Sequence, residues 1–99
     1  MTVIWTKAAE QSFQNEIEFI LDKWNTAQVQ KFINLVENQI NTLSNQPYLG
    51  RDIGYKSFKK LVLSKQTTLF YRLLDANQIE ISFFWNNKMD LEKIKILLE

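Results

Sequence analysis

From Ala9 to Leu43 the large apolar residues recur at every third or fourth position. Ala9, Phe13, Ile17, Ile20, Leu21 and Trp24 form one stripe, and Val29, Phe32, Ile33, Val36, Ile40 and Leu43 form a second. That spacing predicts two amphipathic helices. Thr6 stands just ahead of the first and Thr26 ahead of the second, each with a side-chain oxygen able to accept from a first-turn N–H as an N-cap. Only Asn25-Thr26 links them, so the helices are expected to fold back as an antiparallel hairpin. Beyond Phe58 the period shortens to two, and the residues become β-branched and aromatic, as a half-buried sheet requires. Three strands are predicted, Phe58–Ser64, Thr67–Leu74 and Ile79–Trp85, with turns at Lys65-Gln66 and Asp75-Ala76-Asn77-Gln78. In the last strand Ile79, Ile81, Phe83 and Trp85 would face the helices, and Glu80, Ser82, Phe84 and Asn86 the opposite side. A short strand at Thr2–Trp5 opens the chain and a brief helix at Asp90–Leu98 closes it. The polar stretch from Ser44 to Gly54, which holds the sole proline and both glycines, is the one long loop. The expected fold is α+β, in the order β-α-α-β-β-β-α. A helical hairpin would pack on one face of a mostly antiparallel four-stranded sheet, in a single domain spanning residues 1–99.

Composition narrows the chemistry. With 99 residues, 45% of them hydrophobic and 13% aromatic, the chain has material for one core and no room for a second domain. Trp5, Trp24, Trp85, Phe13, Phe32 and Phe83 fall at core periodicity and read as packing. There is no cysteine and no histidine, which excludes disulfides, a thiolate nucleophile, a zinc site and a serine–histidine triad. The acidic residues are scattered without the spacing of a calcium loop, so no metal and no cofactor is expected. Without an apolar run of membrane-spanning length, the expectation is a cytoplasmic protein with no membrane partner. Net charge is only +1, yet Arg51, Lys56, Lys59, Lys60, Lys65 and Arg72 fall in one window against Asp52 alone. Such a window reads either as a solvated outer strand that discourages edge pairing or as a surface for a polyanion or an acidic partner.

Four local patterns carry a resemblance over essentially the whole chain. Val3-Ile4-Trp5-Thr6 runs directly into a helix beginning Lys7-Ala8-Ala9. Trp24 ends that helix just before Asn25-Thr26. Leu43, Pro47 and Gly50 follow the second helix in that order. Phe58 to Lys65, then Leu69-Phe70-Tyr71-Arg72, then Phe83 to Asp90 form the closing segments. Together they resemble the RelE/ParE superfamily of toxins from type II toxin–antitoxin systems, known also as plasmid stabilisation proteins. The resemblance implies a growth-inhibiting toxin bound by a cognate antitoxin in a hetero-oligomer, with either DNA gyrase or the ribosome and its mRNA as target. Many relatives have Arg where this chain has Lys88, and Pro where it has Leu91. An ammonium grips phosphate as a point charge, where a guanidinium makes two parallel bonds. No Tyr follows Tyr71, and no His is present. These departures favour the ParE-like branch, which binds DNA gyrase, over a RelE-like ribosome-dependent mRNA endoribonuclease; a member that keeps the fold but has lost its toxicity is the third reading. If the chain were a nuclease, the residues implied are Lys59, Tyr71, Arg72 and Lys88. Target or nucleic-acid contact would fall to Arg51, Lys56, Lys59, Lys60, Lys65, Arg72 and Lys88, and antitoxin contact to Phe84 on the sheet face away from the helices.

Overall fold

Thr6 has extended backbone angles, and its side chain accepts from the Ala9 N–H, so the first helix starts where a polar cap can satisfy a first-turn donor. The computed structural model, which describes residues 1–88, places β1 at Thr2–Trp5, α1 at Lys7–Lys23 and α2 at Thr26–Asn45. Asn25, not Thr26, caps α2: its Oδ1 accepts from the Gln28 N–H at 3.0 Å, and Thr26 is already helical. Four more strands follow, β2 at Arg51–Asp52, β3 at Lys59–Val62, β4 at Thr67–Asp75 and β5 at Gln78–Asn86. The expected terminal helix at Asp90–Leu98 lies outside the described residues.

The sheet has five strands in the order β1-β5-β4-β3-β2, one more than expected, because the loop contributes the two-residue β2. β1 runs parallel to β5, and every other neighbouring pair is antiparallel. The turn between β2 and β3 puts Lys56 and Ser57 at φ 46° and 64°, and the Phe58 N–H closes it onto the Tyr55 carbonyl at 3.0 Å. Two successive left-handed residues make a mirror-image turn that usually holds Asn-Gly, so Lys-Ser carries strain there.

A β-bulge in β5 decides which side chains face the helices. Tyr71 pairs with Ile81 while Phe70 pairs with Phe83, so Ser82 is the extra residue and the alternation reverses on passing it. Ile79 and Ile81 face the helices as expected, but Phe84 joins them, and Phe83 and Trp85 turn to the other side. Two cores result. One holds Ala9 and Ile20 of α1, Phe32, Val36 and Leu43 of α2, and the inward residues of β4 and β5. The second, on the far face, gathers Phe58, Phe70, Phe83 and Trp85, with Ile53 packed against it. Phe83 and Trp85 are only 3% and 2% exposed, so the sheet face away from the helices, expected to carry the antitoxin contact, is covered over its aromatic centre. Trp24, expected in the core, stands at 48% exposure, because α1 ends at Lys23 and the chain leaves the helix there.

Candidate functional site

The four nuclease candidates do not converge. Tyr71 is fully buried on the helix side of β4; its hydroxyl donates to the Pro47 carbonyl at 3.0 Å and accepts from the Gly50 N–H at 2.8 Å. Burial pushes that hydroxyl above the ordinary tyrosine pKa; the Gly50 bond opposes this and the Asp52 charge adds to it. Gly50 is required here, since a Cβ would stand 2.6 Å from the Tyr71 ring and hydroxyl and 2.8 Å from the Lys60 carbonyl. Tyr71 therefore pins the loop to the sheet and has no free proton to move. Lys59 shares that face, with its Nζ 3.5 Å from Asp52 Oδ2 and 5.5 Å from the centre of the Tyr48 ring. Arg72 projects from the opposite face; its Nε lies 3.2 Å from Glu80 Oε1, its Nη2 3.4 Å from Glu80 Oε2, and its guanidinium 5.0 Å from the Phe58 ring centre. Lys88 follows the far end of β5, with Nζ 5.9 Å from the ring centre of Phe19 on α1.

The basic window divides in the same way. Arg51, Lys56 and Lys60 are exposed on the β2–β3 hairpin, and Lys60 points to the opposite face from Lys59 because neighbours in a strand alternate. Lys65 lies instead on the turn between β3 and β4. Asn87 locks that turn to the end of β5, donating from its backbone to the Gln66 carbonyl at 2.7 Å and from Nδ2 to the Lys65 carbonyl at 3.1 Å. Beside it runs a groove of about 460 Å³, floored by Ile20, Phe32 and Leu35, walled by Trp24 and flanked by Lys31 of α2 and Lys65. Neither Lys31 nor Lys65 pairs with an acid among the described residues. Lys23, its Nζ 5.4 Å from the Phe19 ring centre, joins Lys88 at this end of the sheet. An apolar floor, a half-exposed indole and flanking ammonium groups suit a macromolecular partner that is acidic at its rim and apolar at its centre. Lys23 and Lys31 lie outside the basic window, and only the fold-back of the hairpin brings them there.

A model of the family described as ParE toxin of type II toxin-antitoxin system, parDE, matches residues 3–91. The chain belongs to the ParE toxin family. No curated protein matches it. Its fold is similar to that of a chain from a solved structure titled "Chromosomal ParDE TA system from P. aeruginosa", with a TM-score of 0.73 and 16% identity over 87% of this chain and 95% of that one.

In this ParE-family chain Phe84 does not stand on the sheet face away from the helices, where it was expected. The bulge at Ser82 turns it inward, where it is 4% exposed with ring centres 5.4 Å from both Trp5 and Phe13. Glu16 is the inward-facing residue that the periodicity did not single out. It continues the Ala9–Phe13–Ile20 side of α1 and is 5% exposed, with Thr67 Oγ1 donating to its Oε2 at 2.8 Å. Burial pushes its carboxyl pKa up, against the downward pull of hydrogen bonds from Thr67 and Asn86. Among the described residues no three Asp or Glu side chains assemble into a metal site, and no helix is long and apolar enough to cross a membrane.

Proposed function

We propose that this ParE-family chain acts as a cytoplasmic, single-domain toxin that binds its target rather than cleaving it, with DNA gyrase as the target and a cognate antitoxin as its neutralising partner in a hetero-oligomer. The observation that carries the reading is the dispersal of Lys59, Tyr71, Arg72 and Lys88. One hydroxyl is committed to Pro47 and Gly50, two cations are paired with acids on opposite faces, and the fourth stands at the far end of the sheet. Cleavage through an RNA 2′-hydroxyl needs a base and a phosphate clamp within hydrogen-bond reach of one atom, which this arrangement does not supply. The solved structure of similar fold is titled as a ParDE toxin–antitoxin system, which supports an antitoxin partner here. The groove between Trp24, Lys31 and Lys65 is the surface that fits such a protein partner.

A gyrase supercoiling assay run beside a ribosome-dependent translation assay tests this reading. The expected result is loss of supercoiling at toxin concentrations that leave mRNA intact, with toxicity surviving the double change Arg72→Ala and Lys88→Ala. Cleaved mRNA, abolished by that same double change, would establish the RelE-like reading instead.

A further inference from the structure

A cavity of about 380 Å³ lies between the first half of α1 and the end of β5, within the size range of small-molecule sites, about 300–1,000 Å³. It exists because β1 pairs with β5 only from Gln78 to Ile81, while β5 runs on to Asn86 with α1 across its outer edge. Two main-chain groups on that edge are already satisfied. Thr6 Oγ1 donates to the Ser82 carbonyl at 2.7 Å, and the Phe84 N–H donates to Ser12 Oγ at 2.8 Å. Side chains therefore set the chemistry of the cavity, and an added strand finds no free edge at these groups.

The mouth is ringed by exposed Ala8, Gln11 and Asn15, with Gln11 Nε2 donating to Asn15 Oδ1 at 3.0 Å. Inside stand Phe84 and Glu16, and Glu16 is the only ionisable group of the lining among the described residues. Its hydrogen-bond partners, Thr67 and Asn86, are both neutral. A carboxylate removed from water and held, among the described residues, only by neutral donors has no counter-charge there, and in such surroundings the attraction to a cation far exceeds its value in water. We infer that this cavity takes an organic cation of side-chain size, a guanidinium or an alkylammonium, with Glu16 as its counter-ion and Phe84 as its apolar wall. The cation is either a basic side chain of a partner peptide or a free small amine. The site is independent of the toxin reading and stands or falls separately.

Titration of the ¹⁵N-labelled chain with butylguanidinium, followed by NMR, tests the assignment. The expected result is a saturable shift of the Gln11, Asn15 and Asn86 side-chain amides, with no response to butylurea, which has a similar shape and no charge. Glu16→Gln is expected to weaken binding about tenfold or more, as loss of one member of a buried charge pair does. Ala8→Trp, at the exposed mouth, blocks entry with Glu16 intact and decides the matter if Glu16→Gln does not fold. A short peptide whose one charged side chain is an arginine and that binds more tightly than butylguanidinium assigns the cation to a partner's side chain. A peptide that binds no more tightly assigns it to a free amine. Absence of a saturable shift, equal binding of butylurea, or undiminished affinity in either variant overturns the proposal.

Discussion

Replacing Tyr71 by Phe removes one oxygen from a buried side chain of the helix-side core. That oxygen joins two points of the loop between α2 and β2, donating to the Pro47 carbonyl and accepting from the Gly50 N–H. Each bond contributes about 1 kcal/mol net, and a donor or acceptor left unsatisfied costs about 1–3 kcal/mol. The expected loss is thus about 2–4 kcal/mol out of the roughly 5–15 kcal/mol typical of a domain, or roughly 8–30 °C in Tm. Equilibrium unfolding in urea measures it directly, and an unchanged slope with a lower midpoint would show that stability alone has altered. Gly50→Ala provides the companion test. Its Cβ would sit 2.6 Å from the Tyr71 hydroxyl and ring, so the double variant should lose less than the two single changes added together. A loss below about 0.5 kcal/mol for Tyr71→Phe would refute the tether, because it would mean that water replaces the hydroxyl at no cost. Toxicity adds a second readout: under the binding reading it follows the folded fraction, whereas a catalytic tyrosine would lose activity in a fully folded variant.

The remaining expectations concern other parts of the molecule. The Glu16 carboxyl has a raised pKa in the folded state, so that state holds the proton more tightly than the unfolded chain does. Stability therefore falls as pH rises from the ordinary glutamate value through the raised one. Glu16→Gln should flatten urea midpoints across that window and be the more stable form at neutral pH, and parallel curves for the two proteins would refute this. Ser57 sits at φ 64° with no glycine to relieve it, so Ser57→Gly should stabilise by about 0.5–1 kcal/mol in the same assay; a loss would mean that its conformation is not strained. Phe84→Ala should cost about 3–5 kcal/mol and Trp24→Ala about 1 kcal/mol or less, although periodicity placed Trp24 in the core and Phe84 at the surface. Equal losses in thermal unfolding would contradict the face assignments.

Much of this fold was legible from residue spacing. The helical stripes, the Thr6 cap and the three long strands depend on local periodicity, and each strand stands within one or two residues of expectation. What escaped is non-local. An alternation read straight through Ile79–Trp85 cannot reveal that Ser82 has no partner on β4, since serine carries no backbone signature of a bulge, and one uncounted residue moved Phe84 inward and Phe83 and Trp85 outward. Lys59 and Lys60 were adjacent in a basic window, yet adjacency in a strand means opposite faces. Trp24 satisfied the apolar stripe but lies past the last turn of its helix. The groove at Lys31 and Lys65 joins residues of α1, α2 and the turn into β4, so no window of sequence contains it. Glu16 was the one miss with an available signal, a lone acid on the stripe between Phe13 and Ile20.

The parallel pairing of β1 with β5 governs the order in which the molecule assembles. Thr6 donates to the carbonyls of Ile81 and Ser82, 75 and 76 positions further along, so β1 waits for β5, the last strand described. Closing a loop of that length opposes docking by about 4 kcal/mol of chain entropy before the contact gives anything back. The helical hairpin needs no such delay, since its halves are joined by a tight link. Completion of the sheet is accordingly a late event, and a nascent chain halted before residue 78 would hold a formed hairpin beside an amino-terminal strand without its neighbour.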